Sequence, residues 1–341
     1  MKKKALIRIL TIALLFAVIT TQPAGASDVE ISGFIDMSYY SDGNAGTAGT
    51  SFDQFELDLT SNKSEALSAR VDLEFGGDGS IAIEQGFIEI APSDGLKLTF
   101  GQFNAPIGFE LLDAPDMFQY SHAMVFNYGL PTNLTGFMAN SGFGLIDVAV
   151  YYVNGWDNNI DDNSEKTIGT RIGVTPIEIL NFGISYISGK EGSDDPTTAA
   201  IVEDPLGLTV TDIDLTFTGV ADLTVGFEYN MGVQVDSSAV TSGDDATWNG
   251  FLVMANYAVD DTYAITLRYD SFNDTEGARL GGGVEETRNS ITISPSFTIA
   301  DGVGGLFEYR TTTSDQEVFT DKDANSKTDQ TEIAVELTYS F

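Results

Sequence analysis

Thr331-Glu-Ile-Ala-Val-Glu-Leu-Thr-Tyr-Ser-Phe341 ends the chain, and its two alternating sets of side chains decide the fold. Ile333, Val335, Leu337, Tyr339 and Phe341 share one face of an extended strand, and Glu332, Ala334, Glu336, Thr338 and Ser340 share the other. Successive side chains of a strand point to opposite faces, so the two sets separate cleanly. The apolar face suits lipid. The other carries two carboxylates, which a packed core would exclude and a water-filled interior accepts. A last strand of this kind has to pair with the first to abolish the sheet edges. The expected fold is all-β: a closed antiparallel transmembrane β-barrel sealed by this strand.

At the other end, residues 1–26 read as an export signal. Lys2, Lys3, Lys4 and Arg8 give a basic start, Ile9 to Ile19 an apolar run, and Ala24-Gly25-Ala26 a cleavage site. The run falls short of the ~20 apolar residues of a membrane-spanning helix. Residues 27–341 form the barrel. No cysteine is present, so neither a lipid anchor on cysteine nor a disulfide framework is expected. No later apolar run approaches ~20 residues, which excludes a helical membrane protein. Gly 35, Phe 22 and Tyr 13 suit a barrel wall with aromatic belts. A soluble β-solenoid or sandwich shares the period of two and is the competing reading.

The net charge is −35. Loss of the four signal bases, with no acid among residues 1–26, leaves −39. Such acidity excludes nucleic acid as a natural partner and favours cations near the surface. Acidic loops that merely keep exposed ends solvated would give the same balance.

Alternation recurs about sixteen times, with fourteen strands as the alternative count. The first strand sets Ile31, Ile35, Met37 and Tyr39 against Glu30, Asp36 and Ser38; the second sets Phe55, Leu57 and Leu59 against Gln54, Glu56 and Asp58. In the fourth, Ile81, Ile83 and Phe87 share a parity with Gln85 and Glu89, so a bulge or change of face is expected near Gly86. Pro295 interrupts the fourteenth and predicts a bulge or a shifted boundary. Turns are expected at Ser61-Asn62-Lys63 and over the longer Ser41–Thr50. Short breaks follow even strands and long breaks follow most odd ones, Gly76–Ser80 being the short exception. Even strand numbers, short periplasmic turns and long external loops belong to bacterial outer-membrane barrels. Both termini then lie on the periplasmic side.

Alternation stops from Asn104 to Pro131, the third external loop. Phe109, Leu111, Leu112, Met117, Phe118 and Tyr120 make it too apolar to lie free in water. Folded inward against the wall, it would bury them and leave Glu110, Asp113 and Asp116 lining the passage; a short helix over the barrel mouth is the alternative. Arg70, Lys97, Arg171, Arg268 and Arg310 fall on the inward parity of their strands. Facing the loop acids, they would set up a transverse field at the constriction. The other reading pairs each base with a neighbouring acid such as Asp72, Asp270 or Glu308.

Gly101-Gln-Phe-Asn-Ala-Pro-Ile-Gly-Phe-Glu110, followed by Leu130-Pro-Thr-Asn-Leu-Thr-Gly136, resembles the putative β-barrel porin-2 (OmpL-like) family. The Tyr339/Phe341 terminus is similar to the end signal of outer-membrane barrels generally. The Gly-x-Phe-x-x-Pro-x-Gly pattern also resembles phosphate-selective porins, whose channels are basic; the acidity of this chain argues against that carry-over. The resemblance implies a passive channel.

Two further patterns carry less. Asp321, Asp323, Asn325, Asp329 and Glu332 match ligand positions of a calcium loop, but Ser326 replaces the turn glycine and strands flank the segment. His122 is the only histidine, and the adjacent Ser121 is poorly placed to be its nucleophile, so no catalysis and no cofactor are expected. The expected function is an outer-membrane porin passing small hydrophilic solutes with a mild preference for cations. A solute-specific channel for a sugar or divalent cation, and a receptor or adhesin barrel, are the alternatives. Its partners would be membrane lipid and the solutes themselves. A homotrimer is the usual way such barrels cover part of their wall, although no interface signal appears.

Overall fold

A strand whose faces differ in polarity needs two solvents, and the computed structural model provides both by rolling the chain into a closed wall. It describes residues 29–161, 163–192 and 206–341; the expected signal 1–26 and part of the Gly189–Leu208 loop lie outside them. The early strands are β1 Val29–Asp42, β2 Thr47–Ser64, β3 Leu67–Gly76, β4 Ile81–Ser93 and β5 Leu96–Asn104. After the interruption come β6 Asn133–Phe143, β7 Ile146–Val153, β8 Thr167–Ile177, β9 Leu180–Glu191 and β10 Leu206–Val220. Then follow β11 Leu223–Gln234, β12 Ala246–Ala258, β13 Tyr263–Asp274, β14 Glu286–Ala300 and β15 Val303–Ser314. A small hairpin of β16 Phe319–Thr320 and β17 Ser326–Lys327 stands outside the wall, and β18 Asp329–Ser340 completes it.

Sixteen strands close the barrel, each paired antiparallel with its neighbours in sequence, and β18 lies between β15 and β1. The seam runs from Phe34 opposite Ser340 to Asp42 opposite Glu332. The backbone adds two bonds at its end, Gly33 N–H to Phe341 O at 3.2 Å and Phe341 N–H to Gly33 O at 3.0 Å. Closure satisfies every edge, as a wall in hydrocarbon requires. On β18, Val335, Leu337 and Tyr339 are exposed on the outside while Ala334 and Glu336 are buried. The expected parity holds.

Most connections after even strands are two residues long, such as Asp94–Gly95 and Asp301–Gly302. The turn expected at Ser61–Lys63 lies instead at Glu65–Ala66, because Ser61 and Asn62 still pair with Ala69 and Ser68. The Ser41–Thr50 loop shrinks to a turn over residues 43–46, since Ala48, Gly49 and Thr50 pair with Ser41, Tyr40 and Tyr39. In β4 the register shifts opposite Asp72 and Leu73, leaving Glu84 as the extra residue. Ile81 and Ile83 face outward before it and Ile88 after it, so the face does change near Gly86. The bulge expected at Pro295 is absent. Register with β15 is the same before and after it, and a gap in the ladder at Ser294 and Pro295 accommodates the missing donor.

The wall also carries a dry interior patch. Leu208, Val210, Trp248, Leu252, Met254 and Phe272 are buried on the parity opposite to the lipid face, in one cluster with Ala123, Met124 and Val125. Those last three belong to the interruption.

Candidate functional site: the inner face and the 104–131 segment

Segment 104–131 meets side chains from well-separated strands, all on the parity opposite to the lipid-facing one. The Phe109 N–H donates to Glu228 Oε2 of β11 at 2.7 Å. The Phe109 ring covers Gly226, where a Cβ would stand 2.2 Å from its Cζ. Arg268 of β13 donates to Glu110 Oε1 at 2.7 Å and to the Ser121 hydroxyl at 3.1 Å. The Ser121 N–H reaches Glu308 Oε2 of β15 at 3.2 Å, and the Tyr120 hydroxyl lies 3.3 Å from that of Ser38 on β1.

A short helix, α1 Met124–Gly129, grows from this anchorage and packs on β11, β12 and β13. Its first N–H groups have no intrahelical acceptor. The Ala123 N–H donates to Glu110 Oε2 at 2.7 Å and the Met124 N–H to Asp270 Oδ2 at 3.1 Å, so two carboxylates cap the positive end. Gly250 leaves room for Val125 and Phe272, since a Cβ there would stand 2.7 Å from each.

The five bases singled out by parity all have carboxylate partners. Arg70 Nε lies 2.7 Å from Asp72, and Arg70 Nη2 lies 3.6 Å from Asp58. Lys97 sits beside the Asp94–Gly95 turn, 3.0 Å from Glu89. Arg171 forks onto Asp214. Arg268 joins Glu110 and Asp270, and Arg310 lies 3.7 Å from Asp270 while donating to the His122 carbonyl at 3.3 Å. Arg268 thus faces the loop acid Glu110, while the other four bases have wall acids as partners. Glu110 is turned into its pair, whereas Asp116 is exposed in the 3-10 turn Ala114–Asp116. Asp113 precedes that turn, and its Oδ1 has no partner. Burial, then the charges of Glu84 and Asp116, push the Asp113 carboxyl up to about 7.

Beside the segment lies a cavity of about 510 Å³ bordered by β1, β2 and β18. Asp36, Asp53, Asp78 and Glu336 line it together with Tyr120, His122, Leu112 and Met117, and no lysine or arginine does. On β2–β4, Glu56, Asp72 and Glu84 bring carboxylate oxygens within 4.8 Å of one another. The alternation of β1, β2, β3 and β18 already placed Asp36, Glu56, Asp72 and Glu336 inward; Glu84 was hidden by the bulge. Arg279, also missed, stacks between Trp248 and Trp156 at 3.8 and 4.9 Å, and burial lowers its guanidinium to about 10.

Neither minor pattern assembles a site. Asp321 accepts the N–H groups of Asp323 and Asn325, and Lys327 lies 3.2 Å from it, while Glu332 sits in β18 holding the Tyr40 hydroxyl. His122 Nε2 contacts the Leu111 carbonyl at 2.9 Å, and its ring stacks on Phe126. The Ser121 hydroxyl accepts from Arg268 instead. No serine–histidine relay exists there.

Residues 28–341 match the family described as Putative beta-barrel porin-2, OmpL-like. The chain belongs to this family. Its members' barrel and the closed wall here are those of an outer-membrane porin, and the chain is an outer-membrane protein whose family and fold point to a channel. A search of curated proteins finds no match. Among solved structures, OmpT of Vibrio cholerae in its trimer form superposes with a TM-score of 0.67 at 12% identity, covering 93% of this chain and all of that one. The outer-membrane channel DcaP of Acinetobacter baumannii gives 0.67 at 14%, over 94% and 99% of the two chains. An anion-selective porin from Comamonas acidovorans gives 0.66 at 12%, over 92% and 100%. This porin-2 chain shares their fold.

Proposed function

We propose that residues 27–341, freed of the signal 1–26, form a diffusion channel for small hydrophilic solutes and ions. In this reading segment 104–131 folds inside the bore and sets its narrowest cross-section. A barrel of sixteen strands is wide enough for an aqueous channel. The contacts of one segment with β1, β11, β13 and β15, always on the inward parity, support the inward placement.

The channel prefers cations. The observation that carries this is the cavity beside the segment: four carboxylates line it and no base does, while the five inward bases are occupied by acids of their own. A shared fold does not fix the sign, since the similar Comamonas porin is anion-selective. The acidic lining supports a cationic one. The trimer form of OmpT supports a homotrimer for this chain also.

Reconstitution of the mature protein in a planar bilayer tests the reading. Stepwise ohmic openings and a reversal potential of cationic sign across a salt gradient are expected. Saturable block by one solute would replace it with a solute-specific channel. Electrical silence would point to a receptor or adhesin.

A further inference from the structure

The wall of β2–β4 buries three carboxyl groups side by side and brings a single base to them. Glu56, Asp72 and Glu84 are each at least nine-tenths buried, and one oxygen from each lies within 4.8 Å of the others. Arg70 is the only base in a salt bridge to this cluster among the described residues. It is committed to Asp72, through Nε at 2.7 and 2.9 Å, and to Asp58. Gln54 Nε2 donates to Glu56 Oε2 at 3.0 Å. Glu84 Oε1 receives no hydrogen bond from any N–H or hydroxyl donor, although Glu84 is only 5% exposed.

Glu84 is aimed there deliberately. It is the extra residue of the β4 bulge, and bulges commonly re-aim a side chain. The bulge is braced: its carbonyl accepts from Gln102 at 2.9 Å and from Asn133 at 3.0 Å. Gln85 next to it donates to Asp72 Oδ2 at 2.6 Å, and Gln85 Oε1 accepts the Asn104 N–H at 3.0 Å. An outer layer of amides therefore orients the acids, as second-layer groups do around metal ligands.

We propose that Glu56, Asp72 and Glu84 hold a divalent cation of calcium's size. Calcium takes several oxygen ligands at about 2.3–2.6 Å in flexible geometry, and three carboxylate oxygens within 4.8 Å of one another can share one such ion. Magnesium keeps several of its waters and is held by one or two carboxylates, so a set of three suits it less. The cation supplies the partner that Glu84 Oε1 lacks.

The site is independent of the conduction reading, and the test keeps the two apart. Detergent-folded mature protein, freed of metal with a chelator, is titrated calorimetrically with calcium chloride. One site per chain is expected, with affinity reduced by more than about tenfold in Glu84→Gln and in Glu56→Gln. Asp321→Asn, in the hairpin turn outside the wall, should bind as the unaltered protein does. Folding of each variant is checked by its gel mobility before and after heating. No calcium binding by the folded protein, or unchanged binding in folded Glu84→Gln, overturns the site. Bilayer conductance in chelator, recorded alongside, reports on the channel alone.

Discussion

Arg268 of β13 and Glu110 of segment 104–131 meet at 2.7 Å with both side chains almost wholly buried. Ion pairs so placed add little over an apolar pair of the same shape, but losing one partner strands a charge at a cost of about 3–5 kcal/mol. Arg268→Met and Glu110→Leu are each expected to destabilise the segment on that scale. The double variant should lose less than the two single losses added together. Denaturant midpoints in detergent, combined with open-channel noise, measure it; additive losses would mean that the pair is not coupled.

Phe109 and Gly226 set a second test. Any Cβ on Gly226 lies 2.2 Å from the Phe109 ring, so Gly226→Ala has to displace the ring or the strand, costing about 1–3 kcal/mol. The displaced segment should alter single-channel conductance. Adding Phe109→Ala to Gly226→Ala removes the clash and is expected to restore a uniform conductance level. Persistence of the altered level in the double variant would place the cause elsewhere.

Asp53 and Asp78 line the acidic cavity. A unit charge about 4 Å from a cation is worth about 1 kcal/mol in bulk water, roughly a fivefold change in local partition. Asp53→Asn with Asp78→Asn should therefore reduce the cation-to-anion permeability ratio several-fold at low salt. Near 1 M salt, where the screening length falls to about 3 Å, the difference should shrink. Reversal potentials at two salt levels decide it.

Asp113 gives the pH dependence. With its folded-state carboxyl up at about 7 and an unfolded value of about 3.9, the folded chain holds this proton more tightly. Stability from this group is thus lost as pH rises from about 4 to about 7, and a negative charge appears beside the passage over the upper part of that window. Cation preference should fall when pH is lowered from about 8 to about 6, and Asp113→Asn should flatten that step. A step surviving intact in the variant would assign it to another group.

Much of the wall was legible because lipid on one side and water on the other force a period of two, and most strands obey it. Even the β4 face change could be read from the shared parity of Ile81, Ile83 and Gln85. The dry patch could not be read from strands taken singly. Trp248, Leu252 and Met254 of β12, with Val210 of β10, put apolar groups on the inward parity, where they look like noise. Their meaning comes from segment 104–131, which is apolar on the side that covers them. A combined reading of doubly apolar strands and one greasy loop would have located the patch. Base pairing was partly local, as in Arg70 with Asp72 and Arg268 with Asp270, two residues apart on one strand face. The link from Arg268 to Glu110 crosses the fold and leaves no trace in spacing.

In the proposed channel, the dry patch on β10–β13 makes the bore lopsided. A solute there would move along the other flank, where Asp36 and Glu336 share one cavity with Leu112 and Met117. Such a boundary sorts molecules by whether they own two unlike sides, so an organic ammonium with a hydrocarbon flank should pass more readily than a uniformly hydrated ion of equal girth.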